Sequence, residues 1–187
     1  MPVMPSTRSH DALLESALQL IAAGGVESLT LSQVAAHAGV SRATAYREFG
    51  DKDGLIGAVA RNEIATMLIA VSAEIDPHAD PLPLVASVVV AALRYLRNHA
   101  AFSYVRDHEP RWLLSAAIGG GSGPNLVQTV ASAVAPAVTL DAAGLRIPVH
   151  KAAEVMVRTV LSHSLIESSA LSDQEVGDAV AYAVVAY

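Results

Sequence analysis

The chain has 187 residues, 52% of them hydrophobic, a formal charge of −6 and no cysteine, with a mean hydropathy of +0.41. The missing cysteines exclude a disulfide framework and a thiolate metal site, and a lone early cation, Arg8, with Glu15 inside the apolar stretch that follows, does not make a signal peptide, so a cytoplasmic protein is expected. The longest apolar stretch, residues 84–93 between Pro83 and Arg94, falls well short of the ~20 residues of a membrane span, so the apolar surplus points to a buried pocket and an oligomer interface, with no membrane partner.

A first helix is expected over residues 9–23, where Leu14, Ala17, Leu18 and Ile21 recur at helical spacing before Gly24-Gly25 ends it. Thr30 can cap a second helix, with Gln33 reaching back to form a capping box and Val34, Ala35 and Ala38 on one face. Gly39 supplies a tight turn, where positive φ is easiest for glycine. Ser41 caps a third helix of about two turns that stops at Gly50 and turns Arg42, Thr44, Tyr46 and Arg47 outward. A fourth helix opens at Asp51 and runs to about residue 75, carrying Ile64, Met67, Leu68, Val71 and Ile75 along its later part. Two short capped helices around a glycine turn are the plan of a helix-turn-helix DNA reader, whose second helix enters the major groove.

Residues 76–83 break the pattern with three prolines. Helices then follow over 84–98, around Phe102, Tyr104 and Val105, and over 111–118 beyond the Glu109-Pro110 punctuation. Residues 119–124 form a flexible, glycine-rich interruption. They are no phosphate loop, since the Lys-Ser/Thr pair and a preceding strand are missing. Helices resume over 125–135 and, after a loop at 136–149, over 150–168; Ser172 or Asp173 caps the last one. With no strand pattern and no internal repeat, the fold class is all-α. His99 and His108, or Asp107-His108-Glu109, match no helical metal-ligand spacing, and nothing resembles a nucleophile elbow. No metal, cofactor or enzyme activity is expected.

Thr30, Ala38-Gly39-Val40-Ser41, Tyr46, Phe49 and Lys52, taken together, resemble the tetracycline-repressor (TetR) family of bacterial transcription regulators. The motifs cover the first third of the chain; beyond about residue 75 the resemblance rests on length, helical content and a terminal helix pair. It implies a DNA-binding domain over 1–53, an effector-binding and dimerisation domain over 54–187, and a homodimeric repressor released from a palindromic operator by a small apolar or amphipathic effector. In the family, the residues matching Tyr46 and Lys52 typically contact phosphate.

The side chains themselves suggest how the roles divide. Arg42 can take guanine O6 and N7 with two hydrogen bonds, and Thr44 offers a hydroxyl and a methyl. Ser41, Tyr46 and Lys52 suit phosphate, Arg47 either target, and Thr30 joins them at the start of the second helix. The net charge works against this: residues 1–53 carry four cations (Arg8, Arg42, Arg47, Lys52) and six anions (Asp11, Glu15, Glu27, Glu48, Asp51, Asp53), a balance of −2. That keeps open an alternative, a helical ligand-binding or protein-interaction module without useful DNA binding. His37 is expected to be exposed and Phe49 to be core.

For the effector, Met67, Tyr95, His99, Phe102, Arg106 and Trp112 lie on segments that line a cavity in a TetR-like domain. Val157, Leu161 and Leu165, with Val176, Val180 and Val184, are expected at a four-helix interface between two copies. Gly54 and Gly57 depart from the family pattern. They allow either close packing of the fourth helix on the first or a soft hinge.

Overall fold

The computed structural model describes residues 8–118, 126–134, 144–166 and 168–186. Among them are ten helices: α1 (Arg8–Gly24), α2 (Leu31–His37), α3 (Arg42–Phe49), α4 (Lys52–Glu74), α5 (Pro81–Arg97), α6 (Ala100–His108), α7 (Pro110–Ile118), α8 (Leu126–Val134), α9 (Val149–Leu165) and α10 (Asp173–Val184). The described residues form no strand; Leu145 and Val185 make one isolated antiparallel bridge. The expected all-α class is what is found. The glycine-rich interruption at 119–124 and most of the loop expected at 136–149 lie outside the described residues.

Local chemistry sets the helix ends. α1 stops where Gly25 takes φ +82°. α5 opens at Pro81, three residues before the expected start, because a first helical turn has no partner for its N–H groups and tolerates proline there. α9 ends at Leu165, short of the expected residue 168, with Ile166 already extended. Ser172 is the cap of α10, and Glu175 completes a capping box with it.

Contacts divide the chain into two compact units: residues up to 63 together with 100–113, and residues 64–99 together with 114–187. The grouping by contact therefore runs through α4 and α7, whereas the division by role expected from sequence falls at residues 53 and 54.

In the first unit α1 packs on α6, α2 and α3. Leu13, Leu14, Ala17 and Ile21 of α1, Leu31, Val34 and Ala35 of α2, and Ala101 and Val105 of α6 are buried there. His10 of α1 lies against the Phe49 ring at 5.0 Å between centroids, and its Nδ1 is 3.5 Å from Glu48 Oε2.

The second unit has two apolar clusters. In one, Val85, Ala86, Val89 and Leu93 of α5 meet Val176, Val180, Ala181 and Val184 of α10 and Ala152, Met156 and Val160 of α9. In the other, Ile64 of α4 meets Val127, Val130 and Ala131 of α8 and Ala153 and Val157 of α9, with Met67, Leu68 and Leu161 alongside. The α5–α10 approach is close enough that a Cβ at Gly177 would stand 2.8 Å from the Ala86 carbonyl oxygen and 3.1 Å from a Val90 methyl.

This packing corrects the expected interface residues. Val157, Val176, Val180 and Val184 are buried inside their own subunit, Leu161 packs against the second cluster, and Leu165 is half-buried. The small and β-branched side chains on these helices serve the α5–α10 and α8–α9 contacts. Exposed residues include Lys151, Val155, Arg158 and Ser162 on α9, Ile166 just after it, and Gln174, Glu175, Ala179, Tyr182 and Ala183 on α10.

α4 is long and apolar enough, by length and composition, to cross a membrane. Arg61, Asn62 and Glu63 stand at its centre, and its Ile64 and Val71 are buried in the protein.

Candidate nucleic-acid interface

α2 and α3 are built as two capped helices around a glycine turn. The Thr30 hydroxyl oxygen accepts the Gln33 N–H at 3.2 Å. The reciprocal arm differs from the expected box: Gln33 Oε1 receives the Thr30 hydroxyl at 2.7 Å. Gly39 has φ +67° with open space around it, so its conformation, not crowding, requires glycine. Ser41 caps α3, its oxygen accepting the Thr44 N–H at 3.1 Å and lying 2.9 Å from the Thr44 hydroxyl. Gly50, at φ +76°, closes the helix.

Within α3 only Ala45 is buried, at 1% exposure. Its methyl seats the helix, and the opposite face is free of the core. Arg42, Ala43, Tyr46 and Arg47 are exposed there, Tyr46 at 51%. Arg47 approaches Glu48 only at 3.8 Å with its own side chain 72% exposed, a pairing worth little in water. Thr44 is half-buried and His37 exposed; Phe49 is half-buried against His10. Thr30 and Ser41 are exposed, their hydroxyls engaged in capping.

Lys52 does not extend into solvent as expected of a phosphate contact. It is half-buried, and its Nζ donates to the Glu27 carbonyl at 2.7 Å, tying the start of α4 to the α1–α2 turn. Sequence reading also missed Glu109, whose carboxylate accepts the Val26 N–H at 2.7 Å and the Glu27 N–H at 2.9 Å. No local pattern signals a partnership across more than eighty residues.

Gly54 and Gly57 separate. A Cβ at Gly54 would overlap the Phe49 carbonyl, while one at Gly57 would meet only the end of the Arg61 side chain at 3.3 Å. The expected close approach to α1 is thus replaced at Gly54 by the α3–α4 corner, where the Gly54 N–H also donates to Asp51 Oδ1 at 2.8 Å.

The six expected effector residues fall into both units. Met67, Tyr95 and His99 belong to the second, Met67 against the α4–α8–α9 cluster and the Tyr95 and His99 rings tilted 5.6 Å apart. Phe102, Arg106 and Trp112, all half-buried, belong to the first. Arg106 Nε donates to Asp107 Oδ1 at 2.7 Å, with Nη2 3.3 Å from Oδ2. That hydrogen bonding, aided by the positive charge, holds the Asp107 carboxyl below the usual range. Among the described residues no three His, Asp or Glu side chains gather to hold a metal ion.

The caps, the glycine turn and the exposed basic face of α3 define a helix-turn-helix protein of the all-α type. Residues 13–59 match the model of the bacterial regulatory proteins of the tetR family, which places that segment in the family. It is 30% identical over 136 residues to the HTH-type transcriptional regulator AlkX of Mycobacterium tuberculosis, an alignment covering 73% of this chain and 59% of that protein; the chain thus spans about three-fifths of the length of that relative. Its fold is similar to the TetR family repressor AlkX from Dietzia sp. strain DQ12-45-1b, implicated in biodegradation of n-alkanes (TM-score 0.70, 18% identity, 97% of this chain and 95% of the other). It is also similar to the transcriptional repressor QsdR of R. erythropolis (TM-score 0.64, 23% identity, 95% of each chain).

Proposed function

We propose that the chain is a cytoplasmic, homodimeric transcriptional repressor that reads a near-palindromic operator with α3 of each copy and releases it on binding a small apolar or amphipathic effector. The observation that carries this reading is α3 itself: seated by the buried Ala45 and by Phe49 against His10, it leaves Arg42, Tyr46 and Arg47 exposed. Arg42 and Thr44 read base edges; Tyr46, Ser41 and Arg47 hold the backbone, with Thr30 flanking them at the start of α2. Lys52 keeps part of its donor capacity for phosphate beyond its bond to Glu27. The acidic balance of the head is offset by gathering cations on that face, which is where the phosphates lie.

The effector reading rests on the apolar cluster beside Met67 and on the family. A regulator implicated in n-alkane degradation has a similar fold, which favours an aliphatic effector class here. Tyr95 and His99, which belong to the same unit as Met67, remain proposed polar and aromatic contacts. By linkage, an effector that lowers operator affinity must itself bind DNA-loaded protein more weakly by the same factor.

Selection of bound duplexes from a random pool, followed by titration of the selected site, tests the proposal. Recovery of symmetric half-sites about one helical turn apart is expected. Recovery of only asymmetric single half-sites would overturn the symmetric dimeric reader, and recovery of no preferred sequence would favour the module without useful DNA binding.

A further inference from the structure

Glu109 stands between α6 and α7. Its N–H donates to the Val105 carbonyl at 2.8 Å and its carbonyl accepts the Leu113 N–H at 3.2 Å, so its backbone ends one helix and starts the next. Its side chain serves neither. The carboxylate crosses to the α1–α2 turn and takes the two successive N–H groups of Val26 and Glu27, one on each oxygen, at 2.7 and 2.9 Å. Gly25, at φ +82°, curls that backbone into a concavity of the kind that holds anions. A Cβ on Gly25 would overlap the carboxylate, so the glycine is required by the ligand it faces as well as by its φ.

The same turn is held from its other side. The Glu27 carbonyl accepts Lys52 Nζ at 2.7 Å, so Glu27 is fixed at its N–H by Glu109 and at its C=O by Lys52. Three residues later Thr30 caps α2, which carries α3 through the glycine turn. The direction in which α2 and α3 leave the turn is therefore set by a residue far outside the 13–59 segment that matches the family model.

We propose that Glu109 is a positioning residue for operator binding: its carboxylate fixes the α1–α2 turn, and through it the placement of α3, without touching DNA. This rests on the DNA-binding reading above. Residues 100–113 join the second unit of the chain at both ends, so the latch makes the geometry of the reading head depend on where that segment sits.

The sign of the effect separates this role from simple electrostatics. Removing a negative charge from an already acidic head should, by charge alone, strengthen binding to phosphates. A positioning role requires the opposite. Glu109→Gln keeps the side-chain volume but replaces charge-assisted bonds with at best one weaker neutral one. The Glu109→Gln protein, still helical and with an unchanged oligomeric state, is expected to bind the selected operator about tenfold more weakly, the scale of one lost charge-assisted bond. Its slope of log affinity against log salt should match wild type, since no phosphate contact is removed. Hydrogen exchange at the Val26 and Glu27 amides should quicken, while amides of the α3 cap, such as Thr44, keep their protection. Gly25→Ala, which expels the carboxylate from the other side, should give a similar loss, and combining it with Glu109→Ala should add less than the two losses together.

Operator binding by Glu109→Gln equal to or tighter than wild type overturns the proposal. So does unchanged exchange at Val26 and Glu27, or a loss of affinity that merely follows a lowered melting temperature and disappears on cooling. If the wild type itself prefers no duplex, the DNA-binding reading fails instead, and the exchange experiment still reports whether Glu109 holds the turn.

Discussion

Arg42 and Gly54 show how single residues divide between contact and construction. Arg42 is exposed at the first position of α3, outside the core, and its guanidinium is the group best shaped for a guanine edge. Arg42→Ala should cost about 1–3 kcal/mol of binding free energy per half-site and relax preference at one base position. Titrations against single-base variants of the selected operator measure this; a uniform loss across all variants would make Arg42 a phosphate contact. Gly54 and Gly57 call for opposite outcomes from the same substitution. Alanine at Gly54 must displace the Phe49 carbonyl, backbone that cannot swing aside, and should cost about 1–3 kcal/mol of stability. Alanine at Gly57 meets only the tip of Arg61 and should gain up to about 1 kcal/mol from helix propensity. Urea unfolding midpoints at unchanged slope decide the pair, and a gain at both positions would show that the α3–α4 corner yields easily. If Gly57 is also a hinge, its alanine variant should keep operator and effector binding while the coupling between them falls.

Among the elements, α10 is the most fully determined by its own residues. Ser172 and Glu175 close its first turn reciprocally: Ser172 Oγ accepts the Glu175 N–H at 3.3 Å, and Glu175 Oε2 accepts the Ser172 N–H at 2.7 Å. The Ser172 backbone N–H, and then its hydroxyl, hold the Glu175 carboxyl below its ordinary range. A carboxyl whose folded pKa is depressed contributes stability above its unfolded pKa of about 4.3 and loses it as pH falls through the folded value. The stability difference between wild type and Glu175→Gln should thus be constant at neutral pH and shrink at acid pH below about 4; a difference independent of pH would remove Glu175 from the cap. A cap at Ser172 or Asp173 was legible in sequence because capping is local, and the pairing with Glu175 decides for Ser172. The partner of α10 was not. Its small residues predict a close approach but do not say to what, and Gly177 resolves the question in favour of α5. Gly177→Ala would set a methyl against the Ala86 carbonyl and should lower the melting temperature by several degrees, on the order expected for a cost of about 1–3 kcal/mol. An unchanged melting temperature would mean that α5 and α10 can separate freely.

For the whole molecule, the same distinction between local and distant information decides what was readable. The helix-turn-helix was legible because Thr30, Gly39, Ser41 and Gly50 act within a few residues of themselves. The latch of Glu109 on the α1–α2 turn and the choice of buried face on α9 and α10 depend on partners far along the chain, and helices apolar on more than one side leave that choice open. The choice has a consequence for assembly. Val157, Val176, Val180 and Val184 are spent inside the subunit, so two copies would meet through the outward residues, among them Val155 and Ile166, which is 61% exposed, and Ala179, Tyr182 and Ala183, with Tyr182 at 54%. Alternating small and large side chains on two adjacent helices suit a four-helix contact across a two-fold axis. The wild type should sediment as a dimer. Tyr182→Asp places a charge on the outer face only: it should yield a folded, helical monomer that still binds one half-site weakly but has lost the affinity gained from engaging two. Val180→Asp buries the charge in the α5–α10 core and should unfold the second unit instead. Sedimentation combined with circular dichroism separates these results. A dimer undisturbed by Tyr182→Asp and Val155→Asp together would place the two-fold contact elsewhere on the molecule, and a monomeric wild type would leave the symmetric operator without a symmetric reader.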